Sequence, residues 1–198
     1  MTTPRAQAFT LEAVIASLIV LGGLLFTFQV AGVTALGTST ASPQVSTQLS
    51  GVATGTLDAA AANGTISPTL RYWGDAPSGF HGAAAIEGYY VAAAPPTAFG
   101  ALLERRLGDR NAAYNVGIAY VDADGVIRER PLVRSGTPTD DAVRAAVTVT
   151  LYDDDPLLFA NGTATDDTLG NTSFYAPDAS PSSHVYNVVR VEVVAWRV

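Results

Sequence analysis

The feature that most constrains this chain is a long stretch without a single charge, from Ala13 to Leu57. Its first part, from Ala13 to Val33, consists mainly of Ala, Val, Ile, Leu and Phe. As an α-helix this part would span roughly 30 Å, which is the thickness of the hydrocarbon core of a bilayer. The sequence therefore predicts a transmembrane helix over residues 9–36, and we expect the helix to continue outside the membrane over residues 37–63.

The charges around this anchor predict its orientation. Arg5 is the only basic residue on its N-terminal side, and no acidic residue precedes it. The positive-inside rule then places residues 1–8 in the cytoplasm and residues 64–198 outside the cell, as the head of a single-pass protein of the cell membrane. A cleaved secretory signal is the alternative, with its cleavage site at Thr38–Ala41, but the apolar run is longer than such signals have.

The residues at the start of the anchor resemble a known family. The segment Phe9-Thr10-Leu11-Glu12 resembles the beginning of type IV pilins and pseudopilins, and Arg5-Ala6-Gln7-Ala8 resembles the archaeal class III signal peptide. The resemblance implies that a prepilin peptidase is a partner. It also implies a cut on the cytoplasmic side, so that the anchor stays on the mature protein.

The bond that is cut has three candidates in this sequence. Counting Glu12 as the fifth mature residue, as the resemblance implies, puts the cut between Gln7 and Ala8. The preference for a small residue before the cut instead favours Ala6/Gln7 or Ala8/Phe9. Of these, the bond after Ala6 fits the archaeal leader best.

Glu12 stands at the edge of the predicted membrane span, directly after Leu11, where the bacterial family has one further apolar residue in between. A carboxylate there costs about 3 kcal/mol unless it is paired. The resemblance implies that the α-amino group of a neighbouring subunit is the partner, which would set the axial register of a filament. The alternative is a local role at the start of the helix, with Thr10 as N-cap and Glu12 at the positive end of the helix dipole.

Composition limits the partners and the environment of the protein. All 11 basic residues are Arg, Lys is absent and the net charge is −7. Such a chain lacks the clustered cationic face that nucleic acid requires, so no nucleic acid is expected as a partner. The acidic, Lys-free surface is typical of a halophilic proteome, and an acidic protein from a GC-rich genome is the alternative. The absence of Cys excludes disulfides and thiolate metal sites.

Two segments near the C-terminus, Val147–Pro156 and Tyr186–Trp196, look like an uncharacterised family of haloarchaeal pilin-like proteins. This resemblance implies an archaeal protein with an anchor and a head that works with other pilin-like subunits. It implies no activity.

Beyond the anchor, the spacing of apolar residues predicts two helices. Pro43 is expected to kink or restart the long helix, whose narrow apolar stripe suits packing on a sheet, and Asn63-Gly64 is expected to end it with a left-handed cap. A second helix is predicted over residues 97–107 with Thr97 as its N-cap. The stripe of the long helix consists of Val45, Leu49, Val52 and Leu57.

Alternating apolar residues predict a β-meander in the remainder of the head. Asp122–Gly125 suits a hairpin turn, residues 153–183 are expected to form a long loop region, and the last strand is apolar enough on both faces to lie centrally in the sheet, with one face against the helix. The predicted strands cover residues 112–121, 126–130, 142–152 and 184–198. The expected fold class is α+β, with a long N-terminal helix packed on an antiparallel β-sheet head, as in type IV pilins.

No catalytic or cofactor-binding pattern occurs in the sequence. His81 and His184 are far apart, and there is no nucleophile elbow, phosphate-binding glycine loop or zinc pattern. We therefore expect no enzyme activity, cofactor, metal or small-molecule substrate. A Ca²⁺ site built from Asp153–Asp155 with Asp166 and Asp167 is the alternative, although consecutive Asp side chains point in different directions.

The sequence predicts a structural role for this chain. We expect a minor pilin or pseudopilin in an archaeal type IV pilus-like filament, with membrane lipid, a prepilin peptidase and other pilin-like subunits as partners. The alternative is a membrane-tethered binding or adhesion module that does not polymerise and uses residues 153–183. Three sequons for N-glycosylation, at Asn63, Asn161 and Asn171, all fall on the predicted outer side.

Overall fold

The computed structural model describes residues 43–74 and 79–198, and the predicted leader and transmembrane helix lie outside these residues. Within them, no helix is both long enough and apolar enough to cross a membrane. The helices are α1 (Pro43–Ala62), α2 (Ile66–Leu70) and α3 (Ala98–Arg106), with 3-10 turns at Gly108–Arg110 and Leu169–Asn171. The strands are β1 (Tyr90–Val91), β2 (Ala112–Val121), β3 (Ile127–Arg134), β4 (Val143–Tyr152), β5 (Pro156–Leu158), β6 (Ala164–Thr168) and β7 (Val185–Arg197).

Helix α1 packs on the sheet through a stripe of small and apolar residues. Leu49, Ala53, Leu57 and Ala60 are buried at helical spacing and share one core with strands β4 and β7. The Ala side chains let the helix backbone approach the strands, and burial of each Leu stabilises the fold by about 1.5–3 kcal/mol. The predicted stripe is confirmed at Leu49 and Leu57, whereas Val45 is exposed.

The predicted cap at the end of α1 is confirmed. Gly64 has a φ of 63°, a backbone conformation that favours glycine. Its N–H donates to the carbonyl of Ala61 at 3.0 Å, and the N–H of Thr65 donates to the carbonyl of Ala60 at 2.9 Å. These two bonds form a Schellman motif, which satisfies carbonyls that the end of the helix would otherwise leave unpaired.

Five strands form one mixed sheet in the order β1-β3-β2-β7-β4. The long strands pair antiparallel, as predicted, but the predicted β-meander is wrong, because β7 lies between β2 and β4 and β4 does not pair with β3. The apolar β7 takes the interior position that consecutive pairing would have given to another strand. At the far edge, β1 pairs parallel with β3, with Tyr90 opposite Val133. The expectation of a purely antiparallel sheet is wrong at this edge. Helix α3 follows β1, so the chain crosses over before it enters the long strands, and a crossover permits parallel pairing.

Strand β7 lies between β2 and β4, in the interior of the sheet as predicted. Its inner face, towards α1, is buried at Val189, Val191 and Val193. The opposite face, which we call the outer face, is largely apolar in the sequence, but Val188 and Arg190 are exposed there, whereas Tyr186 and Trp196 are buried. Apolar character on both faces is therefore a poor guide to burial in this strand.

Residues 153–183 are not the long loop region that their composition predicts. Strands β5 and β6 pair as a short antiparallel sheet, and Leu157, Leu169 and Ala176 are buried. The sequence does not reveal these strands, because they are short and the segment is rich in Asn, Thr, Asp and Ser, so that no alternation of apolar and polar residues is visible. The two strands are defined by their pairing with each other.

Candidate functional site

The residues predicted for processing and subunit register, Arg5 to Phe9 and Glu12, lie outside the described residues. The three sequon asparagines lie within them, and Asn63, Asn161 and Asn171 are all exposed. Their accessibility is compatible with modification, and whether they carry glycans stays a prediction.

Asn161 lies in the turn between β5 and β6, and its side chain is hydrogen-bonded to Thr163, the third residue of the same sequon. Its side-chain oxygen accepts hydrogen bonds from the backbone N–H of Thr163 at 3.0 Å and from the Thr163 hydroxyl at 2.7 Å. This is the local turn that Asn side chains favour, and it holds the asparagine at the tip of the hairpin.

The acidic residues considered for Ca²⁺ do not form a ligand set. Asp155 lies 3.7 Å from Arg71 and accepts a hydrogen bond from the N–H of Tyr152, so it is engaged by the protein itself. Across the described residues, no three His, Asp or Glu side chains come close enough together to hold a metal ion. His81 makes a 2.8 Å hydrogen bond to the carbonyl of Leu158, and His184 is exposed at the start of β7.

The structure brings together a different set of residues, in a groove on the outer face of the sheet. The groove has a volume of about 450 Å³ and crosses strands β3, β2, β7 and β4. We call it the arginine groove, after Arg134, Arg144 and Arg190, which line it from three different strands. Its walls also include the apolar residues Pro131, Pro138 and Val194.

The floor of the arginine groove is open because small residues occupy the middle of β2. Gly117 lies opposite Glu192 and Ala119 lies opposite Arg190 in the register between β2 and β7. A methyl group added at Gly117 would meet no atom within 4 Å. Larger side chains at these two positions would fill the space between the arginines.

The charges in the groove are only partly balanced. Glu192 lies 3.0 Å from a guanidinium nitrogen of Arg144 and 2.9 Å from one of Arg190, so one carboxylate bridges two cations. Arg134 is exposed, and in the described part of the chain it has no ion-pair partner. Apart from Arg130, the residues that line the groove include three arginines and, with Glu129, two glutamates, in a chain whose net charge is −7.

Arg130 borders the groove, but its guanidinium belongs to an aromatic cluster. The guanidinium carbon lies 4.7 Å from the centre of the Trp73 ring, 5.7 Å from Phe80 and 5.8 Å from Tyr175. The Trp73 and Tyr175 rings themselves meet at 5.1 Å in an edge-to-face arrangement. This cation is therefore held by the π faces of the rings, and it is not available to a ligand in the groove.

The sequence gives little indication of the groove. Arg134 and Arg144 lie on two strands joined by a short connection, Arg190 follows much later in the chain, and only the pairing of β4 with β7 brings Arg144 and Arg190 to one carboxylate. The one usable hint is the polar pair Arg190 and Glu192, which falls on the same face of a strand that is otherwise almost entirely apolar.

Comparison with protein-family models finds a match over almost the whole chain. A model described as a family of unknown function (DUF7288) matches residues 5–195, a range that includes both the segment before the apolar run and almost the whole head. No curated protein and no solved structure matches the chain.

Proposed function

Since the chain belongs to the family of unknown function DUF7288, we propose its role from its own residues: it is a minor pilin or pseudopilin of an archaeal type IV pilus-like assembly. The observation that carries this proposal is the helix α1, which begins the described residues at Pro43 and packs on the sheet through Leu49 and Leu57. The uncharged, apolar segment from Ala13 runs directly into this helix in the sequence.

The change from an apolar segment to a helix with a polar exposed side supports the proposal. The apolar segment has the length of a membrane span, while α1 exposes Gln44, Gln48 and Asp58 on the side away from the sheet. A chain of this design keeps its anchor in lipid before assembly and presents the head outside the cell. The exposed sequon asparagines agree with an extracellular head, since N-glycosylation requires accessible loops or turns.

The resemblance of the first residues to pilin leaders suggests how the chain is processed and how its subunits pair. In the proposed mechanism a prepilin peptidase removes the leader, so that the mature chain begins at Gln7, Ala8 or Phe9. The new α-amino group of one subunit then pairs with Glu12 of its neighbour. The family match supports treating leader and head as one functional unit, because it extends from residue 5 to residue 195.

The mature N-terminus tests the proposal most directly. We expect mass spectrometry of the membrane fraction to find an N-terminus at Gln7, Ala8 or Phe9, and to find the intact leader in cells without their prepilin peptidase. An intact leader in both strains would overturn the proposal. Cleavage near Ala41 would also overturn it, because it would release the head from the membrane.

A second candidate function is a tethered binding or adhesion module that does not polymerise. The arginine groove favours it, since an open, charged depression on an exposed sheet face is a plausible contact surface for a ligand. This candidate expects an unprocessed leader and no dependence on Glu12, so the same experiment separates the two functions.

A further inference from the structure

We propose that the arginine groove of one copy of this chain receives the acidic hairpin of a second copy. The acidic hairpin comprises residues 153–168, with strands β5 and β6 at its centre. The inference rests on the proposed function, because it assigns a head-to-head contact to a protein that assembles with pilin-like subunits.

Charge is the first argument for this pairing. Between Arg144 and Arg190 the chain has no Arg or Lys, and residues 153–168 contain five of the six aspartates of that stretch. Asp154, Asp166 and Asp167 are exposed. The groove, with its unpaired Arg134, is complementary to them, and paired arginine and carboxylate groups fix the orientation of two partners.

Shape and apolar area are the second argument. Phe159, in the turn between β5 and β6, is 53% exposed, which is a large area for an aromatic side chain in an otherwise polar turn. The groove offers Pro131, Pro138 and Val194 as apolar neighbours over an open floor at Gly117. A hairpin with an exposed aromatic side chain in its turn and aspartates near its base therefore suits a groove that has both apolar walls and arginines.

The position of the two surfaces makes the contact intermolecular. The hairpin is tied to the inner side of the head, where the N–H of Leu158 donates to the carbonyl of Arg71 and the hydroxyl of Tyr72 donates to the carbonyl of Ala160. The groove lies on the outer face. One copy cannot place its hairpin in its own groove without breaking these bonds. When two copies pair in this way, one hairpin and one groove stay free, and each can bind a further copy.

The absence of Cys allows a direct test in the full-length protein in its native membrane. Two differently tagged copies are co-expressed, one with Ala146→Cys beside the groove and the other with Ala164→Cys on the hairpin, and cells are treated with a short bismaleimide. Both alanines are exposed, as is Ala101 on α3, where Ala101→Cys serves as the matched control. We expect a link between the 146 and 164 positions, and at least about tenfold less link from either position to 101.

Charge reversal tests the arginines themselves. Arg134→Glu together with Arg190→Glu in the groove copy is expected to lower the link about tenfold, and Asp166→Arg with Asp167→Arg in the other copy to restore it. Arg105→Glu, an exposed reversal on α3, is the control and should leave the link unchanged. An unchanged link after the groove reversal would overturn the inference.

The remaining outcomes separate this inference from the proposed function. A processed leader without the 146–164 link would overturn the groove contact and leave the pilin role intact. The link with an unprocessed leader would support the contact and overturn the pilin role. Arginine-dependent retention of polygalacturonate by the cells, without the link, would overturn the contact in favour of an acidic surface polymer.

Discussion

At the scale of single residues, Arg130 places a positive charge against the aromatic cluster on the inner side of β3. Its Nε is buried and has no hydrogen-bond partner among the described residues, and its guanidinium lies over the Trp73 ring. Truncation would remove both the cation–π contact and the packing of the aliphatic stem. Arg130 therefore contributes to the stability of the fold through its contacts with the aromatic rings and not through an ion pair.

We expect Arg130→Ala to lower the free energy of unfolding by about 2–3 kcal/mol. Arg128→Ala, on the same strand, is the matched control. Arg128 is exposed and pairs with Asp122 at the surface, so its loss should cost less than about 1 kcal/mol. Urea unfolding of the purified full-length protein in detergent, followed by Trp fluorescence, measures both values. Equal losses would contradict the role of the aromatic cluster.

Two tyrosines in the same region differ in how their hydroxyls are satisfied. The Tyr186 hydroxyl donates to the carbonyl of Ala176 at 2.8 Å, and burial raises its pKa to about 12. The Tyr175 hydroxyl is buried, and in the described part of the chain it has no partner. Burial also raises the pKa of Tyr175, so its phenol stays neutral over the physiological range.

Replacing each tyrosine by phenylalanine should therefore give opposite results. Tyr186→Phe loses a hydrogen bond and should destabilise the fold by about 1 kcal/mol, because the carbonyl of Ala176 is left unpaired. Tyr175→Phe removes an unsatisfied buried hydroxyl and should be neutral or stabilising by up to about 1 kcal/mol. Thermal unfolding of the two variants side by side checks the signs, and a destabilising Tyr175→Phe would show that its hydroxyl has a partner.

At the scale of the elements, most helix and hairpin boundaries follow from local signals. Thr97 caps α3 as predicted, with its hydroxyl accepting from the N–H of Gly100 at 3.3 Å, and Gly64 ends α1. The turn at Asp122–Gly125 is confirmed, with Gly125 at a φ of 77°. These features could be predicted because each depends only on residues within one turn of chain.

Two glycines of the α1 region allow the contribution of the helix cap to stability to be measured. Gly64→Ala should cost about 1 kcal/mol, because alanine is strained at a positive φ. Gly55→Ala should instead stabilise by about 0.5–1 kcal/mol, because Gly55 is exposed within the helix and a methyl group there meets no atom within 4 Å. Circular dichroism during thermal unfolding tests both, and the same sign for the two variants would contradict the cap.

The β2–β3 hairpin carries a pH dependence. The Asp122 carboxylate accepts hydrogen bonds from Arg128 and from the N–H groups of Val126 and Asp124, and these lower its pKa, with the Arg128 bond as the largest cause. A lowered pKa in the folded state contributes stability above the ordinary aspartate pKa of about 4, and this contribution is lost as the pH falls through the lower folded value.

We therefore expect the amide NMR signals of Asp124 and Val126 to titrate with an apparent pKa below the ordinary aspartate value. Arg128→Gln should move this midpoint upwards, towards the ordinary value, because it removes the charged donor. Arg144→Gln, which removes an exposed arginine outside the hairpin, should leave it unchanged. A midpoint at or above about 4 in the unmodified protein would contradict the role of the turn.

At the scale of the whole molecule, the proposed filament depends on Glu12. We expect Glu12→Ala to be processed normally but to be missing from sheared surface filaments, because the partner of the neighbouring α-amino group is lost. Asp58→Ala is the matched control, since Asp58 is an exposed acidic residue on α1 and should not affect assembly. Immunoblots of the sheared and membrane fractions measure the distribution. Normal incorporation of Glu12→Ala would leave only the local capping role for this residue.

What the sequence by itself determined are the properties that depend on neighbours along the chain: the uncharged run from Ala13, the caps at Gly64 and Thr97, the hairpin at Asp122–Gly125 and the positions of the long strands along the chain. The tertiary structure alone decided which residues meet across strands. The arginine groove, the aromatic cluster around Arg130 and the folding of residues 153–183 all arise this way. The physical reason is that strand pairing and register are settled by contacts between residues far apart in the chain, which the residue pattern within one segment does not show.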